Sequence, residues 1–195
     1  MLHRARFLAA ALAAAGLFAA CGDNAAAASR ATGTNARGIP NVAMTDQHGR
    51  VVSLYDDVVQ GRCVVIQFMY TQCDGVCPAA TAALVEAQTM LGDQLGKEVF
   101  FVSISLDERD TAEDLAAYAE TNGMGPGWTL LTGSKEDVEK VRRALGAYDP
   151  DPEVDAVRSN HSAGLILGND PKDRWTMASG LGSAKALVRS IRRVL

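Results

Sequence analysis

Continuous apolar runs alternate with segments of helical periodicity along the chain from about residue 39 onwards. The runs at 63–70 and 98–106 are rich in β-branched and aromatic residues, which is typical of strands buried in the middle of a sheet. Apolar positions recur at helical spacing after Pro78, which predicts a helix directly after the first of these strands. A shorter strand is predicted at 128–133, and a further helix at 134–147.

A helix is also predicted between the second buried run and the short strand. It begins with Asp110 or Thr111 as its N-cap and ends at Gly123. Hairpins are predicted on both sides of this alternating region, at 42–56 and at 162–180, and a closing helix occupies 183–195.

This order of elements predicts an α/β protein with a central mixed sheet flanked by helices. It is the order of a thioredoxin-like fold with an added N-terminal β-hairpin. The predicted domain covers 38–195, about 158 residues, which suits one domain with a sizeable core.

The N-terminus has the character of an export signal. Arg4 and Arg6 precede an apolar stretch of 14 residues, shorter than the roughly 20 that a membrane-spanning helix needs. Small residues stand directly before Cys21, as in a bacterial lipoprotein cleavage box. We therefore expect 1–20 to be a lipoprotein-type signal peptide and 21–37 to be a lipidated cysteine with a flexible tether. The expected location is the periplasmic side of a bacterial membrane, and secretion without lipidation is the alternative.

The charge of the chain disfavours one class of partner. The full sequence has a net charge of −4, and removal of 1–20 leaves 17 basic against 23 acidic residues, a net charge of −6. Nucleic-acid binding depends on Lys and Arg meeting phosphates, so we expect no nucleic-acid partner.

Two of the four cysteines lie in "YTQCDGVCPAA", residues 70–80. Cys73 follows the first buried strand and Cys77 begins the next helix, at the sheet edge where ligand sites of open α/β sheets occur. The free N–H groups of the helix N-terminus should make at least one thiol easy to deprotonate, although Asp74 opposes this. The pair is compatible with a structural disulfide, a redox couple or a metal clamp. A disulfide closing so short a ring would stabilise the fold little.

A metal clamp needs a third ligand. After signal removal only two histidines remain. His48 lies in a predicted hairpin turn and is expected to be exposed. His161 directly precedes a predicted strand, in a loop that should face the same edge as Cys73 and Cys77. Thiolates and imidazole both suit copper, whereas structural zinc generally takes four protein ligands.

The sequence resembles the Sco/SenC family of copper-binding assembly factors for cytochrome c oxidase, from about residue 39 to 195. The resemblance rests on "FMYTQCDGVCP", similar to the family's F-x-x-T-x-C-x-x-x-C-P, on "SISLDERDTAEDLAAYA", on "WTLLTGSKEDVEKV" and on "NHSAGLIL". Cys73, Cys77 and His161 fall on the family's three copper ligands. Asp107 matches an acidic position near the copper site, although this chain lacks the usual proline beside it.

The resemblance implies a copper chaperone rather than an enzyme. It would hold copper and deliver it to the binuclear copper centre of a cytochrome c oxidase subunit. The expected oxidation state is Cu(I), and Cu(II) is a second candidate. Other periplasmic copper chaperones or thiol reductants are implied as further partners, and a lipid anchor implies contact with a membrane. The alternatives are a thiol–disulfide reductase using Cys73 and Cys77 on the oxidase subunit's cysteines, and a copper or redox sensor. Cys63 and Met69 are expected to be core residues.

Overall fold

The computed structural model describes residues 38–155, 157 and 163–195. The predictions for the signal peptide, for the tether with Cys21 and for His161 lie outside the described residues.

A single mixed sheet forms the centre of the described chain. Its strands are β1 (Ala43–Asp46), β2 (Val51–Ser53), β3 (Cys63–Met69), β4 (Phe100–Ser105), β5 (Trp128–Thr132), β6 (Gly164–Asn169) and β7 (Arg174–Ser179). Their spatial order is β2-β1-β5-β4-β3-β6-β7. Strands β3, β4 and β5 run parallel, while β6 pairs with β3 and β1 pairs with β5 in the antiparallel sense. The predicted mixed sheet is confirmed.

Helices cover both faces of this sheet. They are α1 (Cys77–Leu91), α2 (Ala112–Thr121), α3 (Lys135–Ala144), the short α4 (Pro152–Asp155) and α5 (Ala184–Val194). Core residues of α1, α2 and α5 form one apolar cluster with one side of the sheet, and those of α3 form a second cluster on the other side. Every residue of β3 is buried, because the central strand is covered on both sides.

Strand direction decides what meets at the edge that carries the cysteines. The carboxyl ends of β3 and β4 lie side by side, since the pair is parallel from Val64–Phe100 to Met69–Ser105. Strand β6 is antiparallel to β3, so it begins at that same edge, with Leu165 opposite Gln67. The loop after β3, the loop after β4 and the entry to β6 therefore share one edge.

One local prediction needs correction, and one short helix was missed. The second strand of the N-terminal hairpin ends at Ser53, and the following residues form a π-helical turn, Leu54–Val59, whose apolar side chains enter the core. The short helix α4 was not predicted. The N-cap of α2 is Thr111, which forms a capping box with Asp114.

Candidate metal centre

The two cysteines occupy the turn between β3 and α1. The Cys73 N–H donates to the Tyr70 carbonyl at 3.2 Å, which folds the chain back directly after the strand. Cys73 is partly exposed, whereas the Cys77 side chain is 1% exposed. The Cys73 sulfur is in hydrogen-bond contact with the Cys77 thiol and with the Tyr70 hydroxyl. The site therefore has one accessible and one enclosed thiol.

Burial sets the acidity of this site more strongly than the helix N-terminus does. Desolvation, followed by the contact with Cys73, raises the pKa of Cys77 to about 12. Desolvation and the hydrogen bond with Cys73 likewise raise the pKa of Tyr70 to about 12. The expected ease of deprotonation is thus not met at Cys77, because this residue is buried in the first turn of α1.

A chain of buried polar groups ties α1 to the sheet one turn after Cys77. The Gln67 amide donates to the Thr81 hydroxyl at 3.2 Å, and that hydroxyl lies 3.0 Å from the Tyr118 hydroxyl of α2. Ser103 and Trp128 extend the chain across β4 and β5. Directional contacts of this kind fix the position of α1, and with it the position of Cys77.

Asp110 holds the other end of the cysteine turn. Its carboxylate accepts from the Thr71 N–H at 3.0 Å and from the Thr71 hydroxyl at 2.6 Å, two residues before Cys73. It also accepts from the Ser105 hydroxyl at 2.5 Å, at the end of β4. From the sequence, Asp110 was predicted only as one of two N-cap candidates for α2. The position of this acid directly before an N-cap threonine was the only sequence signal for it. Its contact with Thr71 could not be predicted from local pattern, because the two residues are 39 positions apart.

The predicted site residue Asp107 is buried at the same edge. Its carboxylate accepts from the Arg109 side chain through both oxygens, at 3.0 and 2.8 Å. The Arg109 side chain is 80% exposed, so the buried Asp107 carboxylate is paired with a guanidinium at the protein surface. Asp107 remains a prediction as a residue that supports the copper ligands.

The entry to β6 packs against the cysteine helix at Gly180. The Gly180 N–H donates to the Ala163 carbonyl at 2.7 Å, and a Cβ built at Gly180 would lie 2.9 Å from the Ala80 Cβ in the first turn of α1. Ala163 stands two residues after His161 in the sequence. The described chain therefore brings the cysteine helix and the residues just beyond His161 together.

The remaining candidate residues lie where the sequence predicted. His48 is exposed in the β1–β2 turn, and Met69 is fully buried. Cys63 is buried in the core, and this burial raises the pKa of its thiol to about 11. Among residues 38–155, 157 and 163–195, no three His, Cys, Asp or Glu side chains form a group able to hold a metal ion. His161 is outside these ranges.

The fold and the site define a thioredoxin-like α/β protein with a dithiol at the carboxyl edge of its sheet. The sequence model of the SCO1/SenC family matches residues 31–195, and the chain belongs to that family. The Sco family is a family of cytochrome c oxidase assembly proteins.

Solved structures show the same fold. A SCO1/SenC family lipoprotein from Bacillus anthracis is 28% identical, with a TM-score of 0.63 over 78% of this chain and 91% of that one. ScoI of Bradyrhizobium japonicum, solved with copper bound, is 25% identical, with a TM-score of 0.62 over 78% of this chain and 96% of that one.

A eukaryotic relative is longer than this chain. Protein sco1 of Schizosaccharomyces pombe is 27% identical over 156 residues, which cover 76% of this chain and 57% of that protein. The chain thus spans little more than half of that relative's length. In the described part of the chain, none of the helices has the length and apolar character needed to cross a membrane.

Proposed function

We propose that this protein carries copper on Cys73, Cys77 and His161 and delivers it to the binuclear copper centre of a cytochrome c oxidase subunit. One observation carries the proposal. The turn with both thiols and the chain just beyond His161 meet at one sheet edge, where Gly180 packs against Ala80 and Ala163. His161 stands two positions before Ala163 in the sequence.

The chemistry of these donors fits copper as cargo. Thiolates are soft ligands that favour Cu(I), and imidazole suits copper in either oxidation state. Neither Cys73 nor Cys77 is in a disulfide in the structure. Reduced thiols are the state that binds metal, and binding releases their protons. The copper-bound relative from Bradyrhizobium japonicum supports the same cargo.

The unequal exposure of the thiols suggests how copper leaves. Cys77 is enclosed and Cys73 is partly exposed. An acceptor thiolate can approach the metal from the Cys73 side and replace one ligand at a time. Copper then moves between sulfur ligands without a change in oxidation state, so delivery needs no separate electron donor.

A thiol–disulfide reductase is the second candidate function. It is favoured by the hydrogen bond between the Cys73 and Cys77 side chains, since a reductase needs two neighbouring thiols that can close a disulfide. In that case two electrons and two protons pass from the dithiol to a disulfide of the oxidase subunit, and a thiol reductant restores the pair.

Variants of the third ligand separate the two functions. His161→Ala should abolish oxidase assembly in cells while leaving the reduction of a model disulfide by the purified protein within about twofold. Cys73→Ser should abolish both activities, and His48→Ala serves as the matched histidine control. Normal oxidase assembly in cells carrying His161→Ala would contradict the copper proposal and favour the reductase.

We also propose that the chain is held at the periplasmic side of a bacterial membrane by a lipid on Cys21. The lipoprotein relative from Bacillus anthracis supports this anchor. Cys21→Ser should move the protein from the membrane fraction to the soluble periplasmic fraction. Retention of Cys21→Ser in the membrane fraction would contradict lipid anchoring.

A further inference from the structure

Asp110 connects the cysteine turn to the buried end of the central strand β4. The Asp110 side chain is 7% exposed and Ser105, its partner on β4, is 1% exposed. Its own N–H donates to the Asp107 carbonyl at 3.0 Å, and the next residue, Thr111, caps α2. The carboxylate is therefore fixed from both sides by the end of a central strand and the start of a helix.

The same carboxylate reaches across to the turn after β3. Oδ2 accepts from the Thr71 N–H and from the Ser105 hydroxyl, while Oδ1 accepts from the Thr71 hydroxyl. Two of the three hold Thr71, and only Gln72 separates Thr71 from Cys73.

We infer that Asp110 is a positioning residue that sets the placement of the Cys73 sulfur relative to Cys77. Cys77 is fixed by α1, whereas Cys73 lies in the turn and depends on the anchoring of Thr71. Without Asp110 the turn gains conformational freedom. Metal binding and disulfide closure must then both overcome the entropy lost when Cys73 becomes ordered. The inference deepens the proposed copper function, and its structural part also holds for a dithiol that carries no copper.

The test uses the full chain without its signal peptide and two readouts. The first is Cu(I) affinity, measured by competition with a chromophoric chelator. The second is the equilibrium of the protein dithiol with oxidised dithiothreitol, in which two electrons and two protons pass to the reagent as the Cys73–Cys77 disulfide forms.

We expect Asp110→Ala to lower Cu(I) affinity at least tenfold and to shift the dithiol equilibrium constant at least tenfold, about 30 mV for a two-electron couple. The Thr71 and Cys73 amide hydrogens should exchange faster with solvent. Asp110→Asn should stay within threefold of the wild type in both readouts, because an amide oxygen can accept in place of Oδ2 and the Thr71 hydroxyl can accept from the amide.

An aspartate in the first turn of α2, four residues after Asp110, provides the matched control. Asp114 closes the capping box of α2 through Thr111, so Asp114→Ala removes a helix cap and leaves the Thr71 contacts in place. The inference would be overturned if Asp110→Ala stayed within threefold of the wild type in both readouts. It would also be overturned if Asp114→Ala lost as much Cu(I) affinity and shifted the dithiol equilibrium as far as Asp110→Ala does.

Thr71 keeps the test decisive if Asp110→Ala fails to fold. Thr71→Val removes one of the bonds and should lower Cu(I) affinity at least threefold, whereas Thr71→Ser should match the wild type. Equal affinities for the two Thr71 variants would overturn the inference. If the wild-type protein binds no Cu(I) but Asp110→Ala still shifts the dithiol equilibrium as expected, the copper function alone would be contradicted and the positioning role of Asp110 would stand.

Discussion

Gly180 is the residue at which the absence of a side chain matters most for the candidate site. A Cβ there would lie 2.7 Å from the Ala163 carbonyl oxygen and 2.9 Å from the Ala80 Cβ. Real Cβ atoms do not approach neighbours so closely, so any larger residue must push β6 and α1 apart. Those are the two elements that bring Ala163 and Cys77 to one edge.

We therefore predict that Gly180→Ala lowers the free energy of unfolding by about 1–3 kcal/mol through overpacking, and that it weakens Cu(I) binding. Urea unfolding and chelator competition measure the two effects. Gly182→Ala is the matched control, because its nearest contact would be 3.4 Å away. Equal stability of the two variants would show that the close approach is not needed.

At the scale of elements, the placement of α1 depends on the polar chain through Thr81. This side chain is fully buried, and its hydroxyl serves both Gln67 on β3 and Tyr118 on α2. Satisfying buried polar groups in this way specifies one position for the helix, whereas apolar contacts alone would permit several.

Thr81→Val keeps the shape of the side chain and removes the hydroxyl. We predict a loss of about 1–3 kcal/mol in the free energy of unfolding, since Gln67 and Tyr118 lose a buried partner. Thr89→Val on the exposed face of the same helix, where the hydroxyl donates to the Val85 carbonyl, should stay within about 0.5 kcal/mol of the wild type. Guanidinium unfolding measures the free energy of unfolding of both variants. Equal losses in Thr81→Val and Thr89→Val would contradict the role of the buried polar groups.

A second element contact holds α4 against α3. The Arg142 guanidinium donates to both oxygens of Asp155, at 2.5 and 2.6 Å, and the side chains are 11% and 7% exposed. The hydrogen bonds from Arg142 hold the pKa of Asp155 well below its ordinary value. Asp155 is the last residue of α4 and stands six positions before His161 in the sequence.

This pair predicts a defined pH dependence. Because the folded-state pKa is lowered, the stabilisation is fully present above the unfolded pKa, near 4, and is lost as the pH falls through the lower folded value. Asp155→Asn should therefore cost about 1–3 kcal/mol of unfolding free energy at pH 7, and the cost should shrink below about pH 4. Glu153→Gln, exposed on the same helix, is the control. A cost that is independent of pH would contradict the ion-pair explanation.

At the scale of the whole molecule, local patterns predicted the sheet and the long helices because each of these elements repeats one hydrophobic period. The π-helical turn after Ser53 escaped prediction for a different reason. Its backbone is held by the Asn41 side chain, which accepts from the Tyr55 and Asp56 N–H groups across 14 and 15 residues. The local pattern of apolar and polar residues cannot predict a contact between residues so far apart in sequence.

The same distinction applies to the candidate site. Spacing predicted where Cys73 and Cys77 lie, since a strand end and a helix start are local features. The burial that raises the pKa of Cys77, the anchoring of Thr71 by Asp110 and the packing of Gly180 depend on segments distant in sequence. These contacts become visible only when the strand order is known.

The copper ligand set is tested most directly by X-ray absorption spectroscopy on the reduced protein loaded with Cu(I). We predict one Cu(I) per chain, with two sulfur donors and one nitrogen donor, and loss of the nitrogen donor in His161→Ala. A spectrum with sulfur donors alone, or one unchanged in His161→Ala, would contradict the proposed site.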